Sequence, residues 1–168
     1  MRKSWLVIIT LVLLFTGVIG CEKQPTKESG FNFIFKYGIA GRNTLDTFQA
    51  TFTKDMVMDP AITVKLTLTP EEKDTIYQKM LEIDFFNYPD KFSVDVPEGE
   101  VKTEVTLYST YFFRVEYGQR TKELLWHDKY TNLDIPGNKL MELITLIRNI
   151  VESKEEYKKL PEPKSGYM

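Results

Sequence analysis

The chain begins with a segment that limits how much of it can enter a fold. Two basic residues precede the apolar run 5–19, which ends in Gly20 and Cys21. A basic stretch, an apolar stretch and a small residue before a cleavage position are typical of a secretory signal peptide. The run of about 15 residues is shorter than the roughly 20 that a membrane-spanning helix needs. We therefore expect cleavage before Cys21, which leaves 148 of the 168 residues to fold.

Length, charge and cysteine content bound the class of the remaining chain. Its length suits one domain with a single apolar core. Cleavage removes two of the 22 basic residues and none of the 24 acidic ones, so the net charge becomes −4. That charge argues against a nucleic-acid partner, which needs a clustered basic face. Cys21 is the single cysteine, which excludes an intramolecular disulfide and a cysteine-based metal site.

Composition divides the chain into four segments. Residues 1–20 are predicted to be the signal peptide, and residues 21–30 a flexible tether, because its side chains are polar or small. Residues 31–160 are predicted to be one α+β domain, and residues 161–168 a tail.

The first part of the domain predicts three strands. Residues 31–37 have an aromatic side chain at every odd position, and residues 62–68 alternate strictly between apolar and polar. An alternation with period two is typical of a half-buried strand. Between them, residues 44–53 are predicted to form one strand with Phe48 and Phe52 on the same face.

A helix is predicted to begin after the third strand. Thr69 can cap it, Pro70 suits the first helical position, and Glu72 completes a capping box. An apolar stripe with helical spacing continues to Ile83.

A hairpin fixes the register of two later strands. Gly118 suits the first central position of a two-residue turn. That turn sets Phe113 opposite Leu124 and Arg114 opposite Glu123, which separates an apolar face from a charged face.

A third strand is predicted to precede this hairpin. A connection through residues 108–110 would set Val105 opposite Phe113 and Leu107 opposite Tyr111. Val105 and Leu107 would then join the apolar face of a three-stranded meander.

A second helix closes the domain. Asn138 is predicted to cap it, and the apolar stripe runs over residues 140–151. The fold class is therefore α+β: an antiparallel sheet of about six strands with two helices packed on one face.

The chain has few candidates for catalysis. His127 is the only histidine, and no serine lies in a Gly-x-Ser-x-Gly turn. The sequence has neither a glycine-rich phosphate loop nor the ligand set of a zinc site. We expect a structural or surface histidine, no cofactor and no catalytic residue.

Carboxylates leave two further interpretations open. The loop 87–100 carries four of them, which could hold a calcium ion although their spacing matches no EF-hand: Asp90, Asp95, Glu98 and Glu100. A pair of carboxylates could instead serve glycoside hydrolysis, with Asp55 and Asp59 as candidates.

Binding is favoured over catalysis. In the predicted register Phe112 and Leu125 lie opposite each other on the charged face, as a small apolar island. Exposed apolar patches mark interaction sites, so these two residues are the candidate interaction site.

The start of the chain resembles that of a known group. Residues 18–21, Val-Ile-Gly-Cys, resemble a bacterial lipobox, and segments 48–56 and 83–89 look like small lipoproteins of Gram-positive, Bacillus-type bacteria. The resemblance implies a lipid on Cys21 and a location on the outer face of the cytoplasmic membrane. A diacylglyceryl group would supply the two acyl chains that stable anchoring takes. The group lends no activity to any position of this chain.

Three functional hypotheses follow from the sequence. The first is a lipid-anchored extracytoplasmic binding or accessory module, whose partner is an envelope protein or a cell-wall component. The second is a small carboxylate-dependent hydrolase at the cell envelope. The third is a ligand carrier for a transporter, for which the mature chain is short.

Overall fold

A mixed sheet of seven strands forms the framework of the protein. The computed structural model describes residues 30–96, 99, 101 and 103–167, so the signal segment and Cys21 lie outside the described residues. The sheet order is β4-β3-β2-β1-β6-β7-β5. All neighbours are antiparallel except β5 beside β7. The strands are β1 (Asn32–Tyr37), β2 (Asn43–Asp46), β3 (Thr51–Met56), β4 (Asp59–Lys65), β5 (Lys91–Phe92), β6 (Glu104–Tyr117) and β7 (Arg120–Tyr130).

Three α-helices accompany the sheet in the described residues. They are α1 (Pro70–Glu82), α2 (Ile135–Ser153) and the single turn α3 (Glu155–Lys158), with a 3₁₀ turn at Phe85–Asn87. The buried residues of α1 and α2 belong to the same core as the inward side chains of the strands. The opposite face of the sheet is polar, because its central side chains Lys36, Arg114 and Glu123 are exposed.

The predicted α+β class is confirmed, but its details need correction. The sheet has seven strands rather than six, and one pair is parallel. Three helices are present rather than two. β5 was not predicted because it is a two-residue segment inside the long connection after α1, where the sequence has no strand pattern.

One predicted strand is two strands. Residues 44–53 divide into β2 and β3 around a turn at 47–50. The carboxylate of Asp46 accepts hydrogen bonds from the backbone N–H groups of Phe48 (2.9 Å) and Gln49 (3.0 Å), and Ala50 adopts a φ of 52°. The prediction was wrong because an aspartate, rather than glycine or proline, makes this turn. Phe48 is consequently 43% exposed, whereas Phe52 is buried.

The start of α1 is as predicted. The hydroxyl of Thr69 accepts a hydrogen bond from the Glu72 backbone N–H (3.2 Å), and the Glu72 carboxylate accepts one from the Thr69 N–H (2.8 Å). These two bonds satisfy backbone donors that the helix itself leaves free.

The reciprocal hydrogen bonds of this helix cap allow a first testable prediction. Changing Thr69 to alanine removes the oxygen that accepts the Glu72 N–H, and should lower the free energy of unfolding by about 1 kcal/mol. Urea unfolding at 25 °C measures this change. Thr67→Ala is the matched control, because Thr67 is exposed and precedes the cap. Equal losses in both variants would contradict the role of the cap.

The hairpin between β6 and β7 has the predicted register. Phe113 lies opposite Leu124 and Arg114 opposite Glu123, and the turn is closed by Tyr117 and Arg120. This register places the buried residues Phe113 and Leu124 on the core face, and Arg114 and Glu123 on the other.

The strand predicted before this hairpin does not exist as a separate element. Residues 104–117 form one continuous strand, in which Ser109 pairs with Asp128 and bridges to Ile39. Val105 and Leu107 therefore lie on the extension of β6, where they are 38% and 48% exposed, instead of opposite Phe113 and Tyr111. Residues 108–110 contain neither glycine nor proline, and nothing in them forces a turn.

The cap of α2 also differs from the prediction. Asp134, rather than Asn138, precedes the helix and accepts a hydrogen bond from the Gly137 N–H (2.7 Å). The other carboxylate oxygen accepts the N–H of Asp95 (2.9 Å). Aspartate serves this position as well as asparagine does, and Pro136 fits within the first turn.

Candidate functional site

The predicted apolar island lies on the open face of the sheet. Phe112 and Leu125 are directly opposite each other, as predicted, and both are half-buried. Lys36 on β1 and Lys91 on β5 continue the same row on either side. The island therefore consists of two partly covered side chains between two lysines.

The predicted acidic loop does not bring its carboxylates together in the described residues. Asp90 forms an ion pair with Lys122 (2.5 Å), and Asp95 lies beside the cap of α2. Glu98 and Glu100 lie outside the described residues. Within the described part of the chain, no group of three or more His, Cys, Asp or Glu residues could hold a metal ion.

His127 lies within β7 on the open face of the sheet. Its Nδ1 is 3.1 Å from the hydroxyl of Thr110, and its ring meets that of Tyr108 edge to face at 5.8 Å. These contacts are those of a surface histidine in a sheet.

The two candidate hydrolase carboxylates lie on either side of the turn between β3 and β4, Asp55 near the end of β3 and Asp59 at the start of β4. Asp55 accepts a hydrogen bond from the hydroxyl of Tyr167. Asp59 pairs with Lys164 at 3.6 Å. Both carboxylates thus meet residues from the C-terminal end of the chain.

Asp55 lines a polar cleft at the C-terminal end of β1. We name it the tyrosine cleft. Its volume is about 330 Å³. It is lined by the end of β1 and the loop after it, by the β3–β4 hairpin, by one residue of β6, by the last helices and by residues of the C-terminal segment 161–167. The lining side chains used below are Tyr37, Lys54, Asp55, Arg148, Glu152 and Tyr157.

One of the charged side chains that line the tyrosine cleft is a buried lysine. Lys54 alternates on β3 with the core residues Phe52 and Met56, and is only 5% exposed. Its Nζ lies 5.1 Å from the centre of the Tyr157 ring. An ammonium group is rarely buried without a partner. In the described residues the carboxylate paired with it is that of Glu162, at 2.9 Å.

An arginine and a tyrosine form the opposite wall. The guanidinium of Arg148 lies 5.6 Å from the centre of the Tyr37 ring, and pairs with Glu152 at 3.3 Å. Burial, and to a smaller extent Tyr157, raises the pKa of the Tyr37 hydroxyl well above its ordinary value. The Tyr37 hydroxyl carries its proton at neutral pH, as an ordinary tyrosine does, and can donate a hydrogen bond.

A second open cleft, of about 410 Å³, lies between the end of α1 and the start of α2. Two of its polar side chains are engaged within the protein. The hydroxyl of Tyr88 donates to the carbonyl of Pro136 (2.9 Å), and the amide of Asn87 donates to Asp84 (2.7 Å). The tyrosine cleft is the better candidate site, because it combines buried positive charge with aromatic rings.

Asp128 pairs with Ser109, which lines the tyrosine cleft. Its carboxyl allows a second testable prediction. Burial raises the pKa of its carboxyl above the ordinary value of 3.8. The folded state then binds the proton more tightly than the unfolded state, so this carboxyl destabilises the fold at any pH above its folded-state pKa. We expect Asp128→Asn to raise the free energy of unfolding at about pH 7, with the gain shrinking as the pH falls towards 3.8.

Urea unfolding at several pH values measures this effect. Asp74→Asn, on the exposed face of α1, is the control for the aspartate-to-asparagine change itself. A loss of stability in Asp128→Asn that is equal at all pH values would contradict the assignment.

Most side chains of the tyrosine cleft were not among the candidates predicted from the sequence. Asp55 was a candidate, but Tyr37, Lys54, Arg148 and Tyr157 were not. One signal was available: Lys54 follows Phe52 with strand alternation, which places a lysine on the apolar face.

Comparisons with known proteins give no relative. No protein-family model matches the chain, and neither a curated protein nor a solved structure is significantly similar to it. The resemblance to Gram-positive lipoproteins therefore stays a prediction. Among the described residues, no helix is long and apolar enough to cross a membrane.

Proposed function

We propose that this chain is a lipid-anchored extracytoplasmic binding module, and that its partner binds in the tyrosine cleft. The observation that carries the proposal is the cleft, in which buried Lys54 and half-exposed Arg148 lie among tyrosine rings. The lipobox-like sequence before Cys21 supports the anchor. An envelope protein or a cell-wall component is the partner that such a location offers.

The position of the cleft supports this arrangement. Nine residues separate Cys21 from Phe31, and a fully extended chain of that length spans at most about 30 Å. β1 begins beside this tether and runs for six residues, about 17–20 Å, to Tyr37 at the cleft. A domain held at the membrane by Cys21 would thus carry its cleft at the end away from the tether.

Site-specific photo-cross-linking in the native host tests the proposal. A photoreactive amino acid replaces Ile39, which lines the cleft, or Phe112, which lies on the open sheet face. Thr63, exposed on edge strand β4, is the control position. We expect a discrete cross-linked envelope component from position 39 alone. Cross-linking from position 112 alone would move the site to the sheet face, and none from either position would contradict a binding module.

A carboxylate-dependent hydrolase is the second candidate. The observation in its favour is that Asp55 and Glu152 line the same cleft. Incubation of the purified protein with isolated cell walls tests it, with the release of reducing ends or free amines as the measurement. Activity that disappears in both Asp55→Asn and Glu152→Gln would favour the hydrolase.

A ligand carrier for a transporter is the third candidate. The described residues form one sheet with helices on one face, rather than two lobes around a cleft. A carrier of this shape would have to hold its ligand in the tyrosine cleft, so the same cross-linking experiment would identify the transporter.

A further inference from the structure

The segment after the last helix lies over the tyrosine cleft. Residues 161–167 approach from Leu160 and contact the end of the sheet. Pro161 and Pro163 have no backbone N–H, so this stretch is poorly suited to pair as a strand. None of these seven residues is buried.

Side-chain contacts hold this segment at three points. Glu162 accepts from Lys54 (2.9 Å), and Lys164 lies 3.6 Å from Asp59. Tyr167 donates to Asp55, and accepts a hydrogen bond from Arg42 (3.1 Å). The guanidinium of Arg42 also lies 5.6 Å from the centre of the Tyr167 ring. The Lys164–Asp59 pair is exposed on both sides and contributes little to stability, so the contacts with Lys54, Asp55 and Arg42 hold the segment.

The contact with Lys54 identifies the group that the cleft selects. The side chain of Lys54 is 6% exposed, whereas that of Glu162 is 82% exposed. The lysine is therefore part of the core, and its carboxylate partner is supplied from outside the core. If the segment left, a buried ammonium group would lose that partner, and another carboxylate would restore it.

The surrounding charges favour a carboxylate over a phosphate. Asp55 and Glu152 also line the cleft. A doubly charged phosphate group would meet more repulsion from these carboxylates than a singly charged carboxylate. In the chain's own segment, the residues that contact Lys54 and Asp55 are Glu162 and Tyr167, five positions apart. A bound peptide can reproduce this spacing.

We propose that the tyrosine cleft binds an acidic peptide segment of an envelope protein, with its carboxylate on Lys54, and that this segment displaces residues 161–167, which form one side of the cleft and hold Lys54 through Glu162. This rests on the proposed function for the source of the peptide. The site itself requires neither the lipid nor the partner.

A peptide-binding experiment tests the site. Two forms of the protein are purified in detergent, the intact chain and a shortened chain that ends at Leu160. The probe is a fluorescent peptide with the sequence of residues 160–168. We expect binding to the shortened chain, and binding about tenfold or more weaker to the intact chain, because its own segment competes at a high effective concentration. A probe with Gln in place of Glu162 should bind the shortened chain about tenfold more weakly.

Substitution of the lysine tests the named contact. Lys54→Met keeps the apolar stem in the core, so the fold should survive. In the shortened chain it should abolish the preference for the Glu probe over the Gln probe. Lys158→Met, which removes an exposed lysine of α3, is the matched control and should keep the preference.

Three results would overturn the proposal. They are no binding to the shortened chain, equal binding of the Glu and Gln probes, or displacement of the probe by an acidic oligosaccharide as readily as by unlabelled peptide. Its failure is distinguishable from that of the proposed function. Probe binding without a cross-link from position 39 would overturn the function alone, and a cross-link without probe binding would overturn the peptide site alone.

Discussion

Phe113→Ala should lower the free energy of unfolding by about 3–5 kcal/mol. Phe113 is fully buried on β6, near the centre of the sheet. Its ring stacks on Phe35 at 4.6 Å and meets Phe85 edge to face at 5.3 Å. The substitution removes both ring contacts and leaves a cavity that the surrounding sheet can close only in part. A domain of this kind has a total stability of about 5–15 kcal/mol, so the loss would be a large share of it.

Chemical denaturation monitored by circular dichroism measures this loss. Phe48→Ala is the matched control, because Phe48 lies in the β2–β3 turn and is 43% exposed. Its loss should be about 1 kcal/mol or less. Equal effects in the two variants would contradict the placement of Phe113 between Phe35 and Leu124.

Cys21→Ala should abolish lipidation completely. The chain has no other cysteine, so no second thiol can receive the lipid. Growth of the native host with an alkyne-labelled fatty acid, followed by purification and fluorophore coupling, measures the label. The wild-type chain should carry it, and Ser29→Ala in the tether should carry it equally. Label that persists in Cys21→Ala would contradict the lipid anchor.

The elements that could be predicted from the sequence are those specified by neighbouring residues. The start of α1 is written in Thr69, Pro70 and Glu72, which all act within one turn. The β6–β7 register follows from Gly118 and from the charge pair Arg114 and Glu123, which this register places opposite each other on the open face. In both places, local geometry and burial require the same arrangement.

The two errors in the strand assignment occurred where the local sequence signal for a turn is weak. The turn at 47–50 depends on the carboxylate of Asp46, a residue that also occurs in strands and at helix caps. Residues 108–110 were interpreted as a turn, although their pairing with β7 and the bridge from Ile39 make them strand. A local side-chain hydrogen bond decided the first case, and pairing between distant segments decided the second.

The candidate site was largely beyond prediction for a related reason. Tyr37, Lys54, Arg148 and Tyr157 come from four separate elements and meet at one end of the sheet. Their meeting depends on the strand order, which the sequence pattern left open. The two residues that the pattern did select, Phe112 and Leu125, were correctly paired because they belong to one hairpin.

We propose that the tyrosine cleft binds its partner through Lys54. The most direct measurement is the cross-linking yield from position 39 in living cells, compared between chains that carry Lys54 and chains that carry Lys54→Met. We predict a discrete product that falls at least about tenfold in the methionine variant, while the amount of folded protein stays the same. A yield that does not change, or a product that forms from position 112 instead, would contradict the claim.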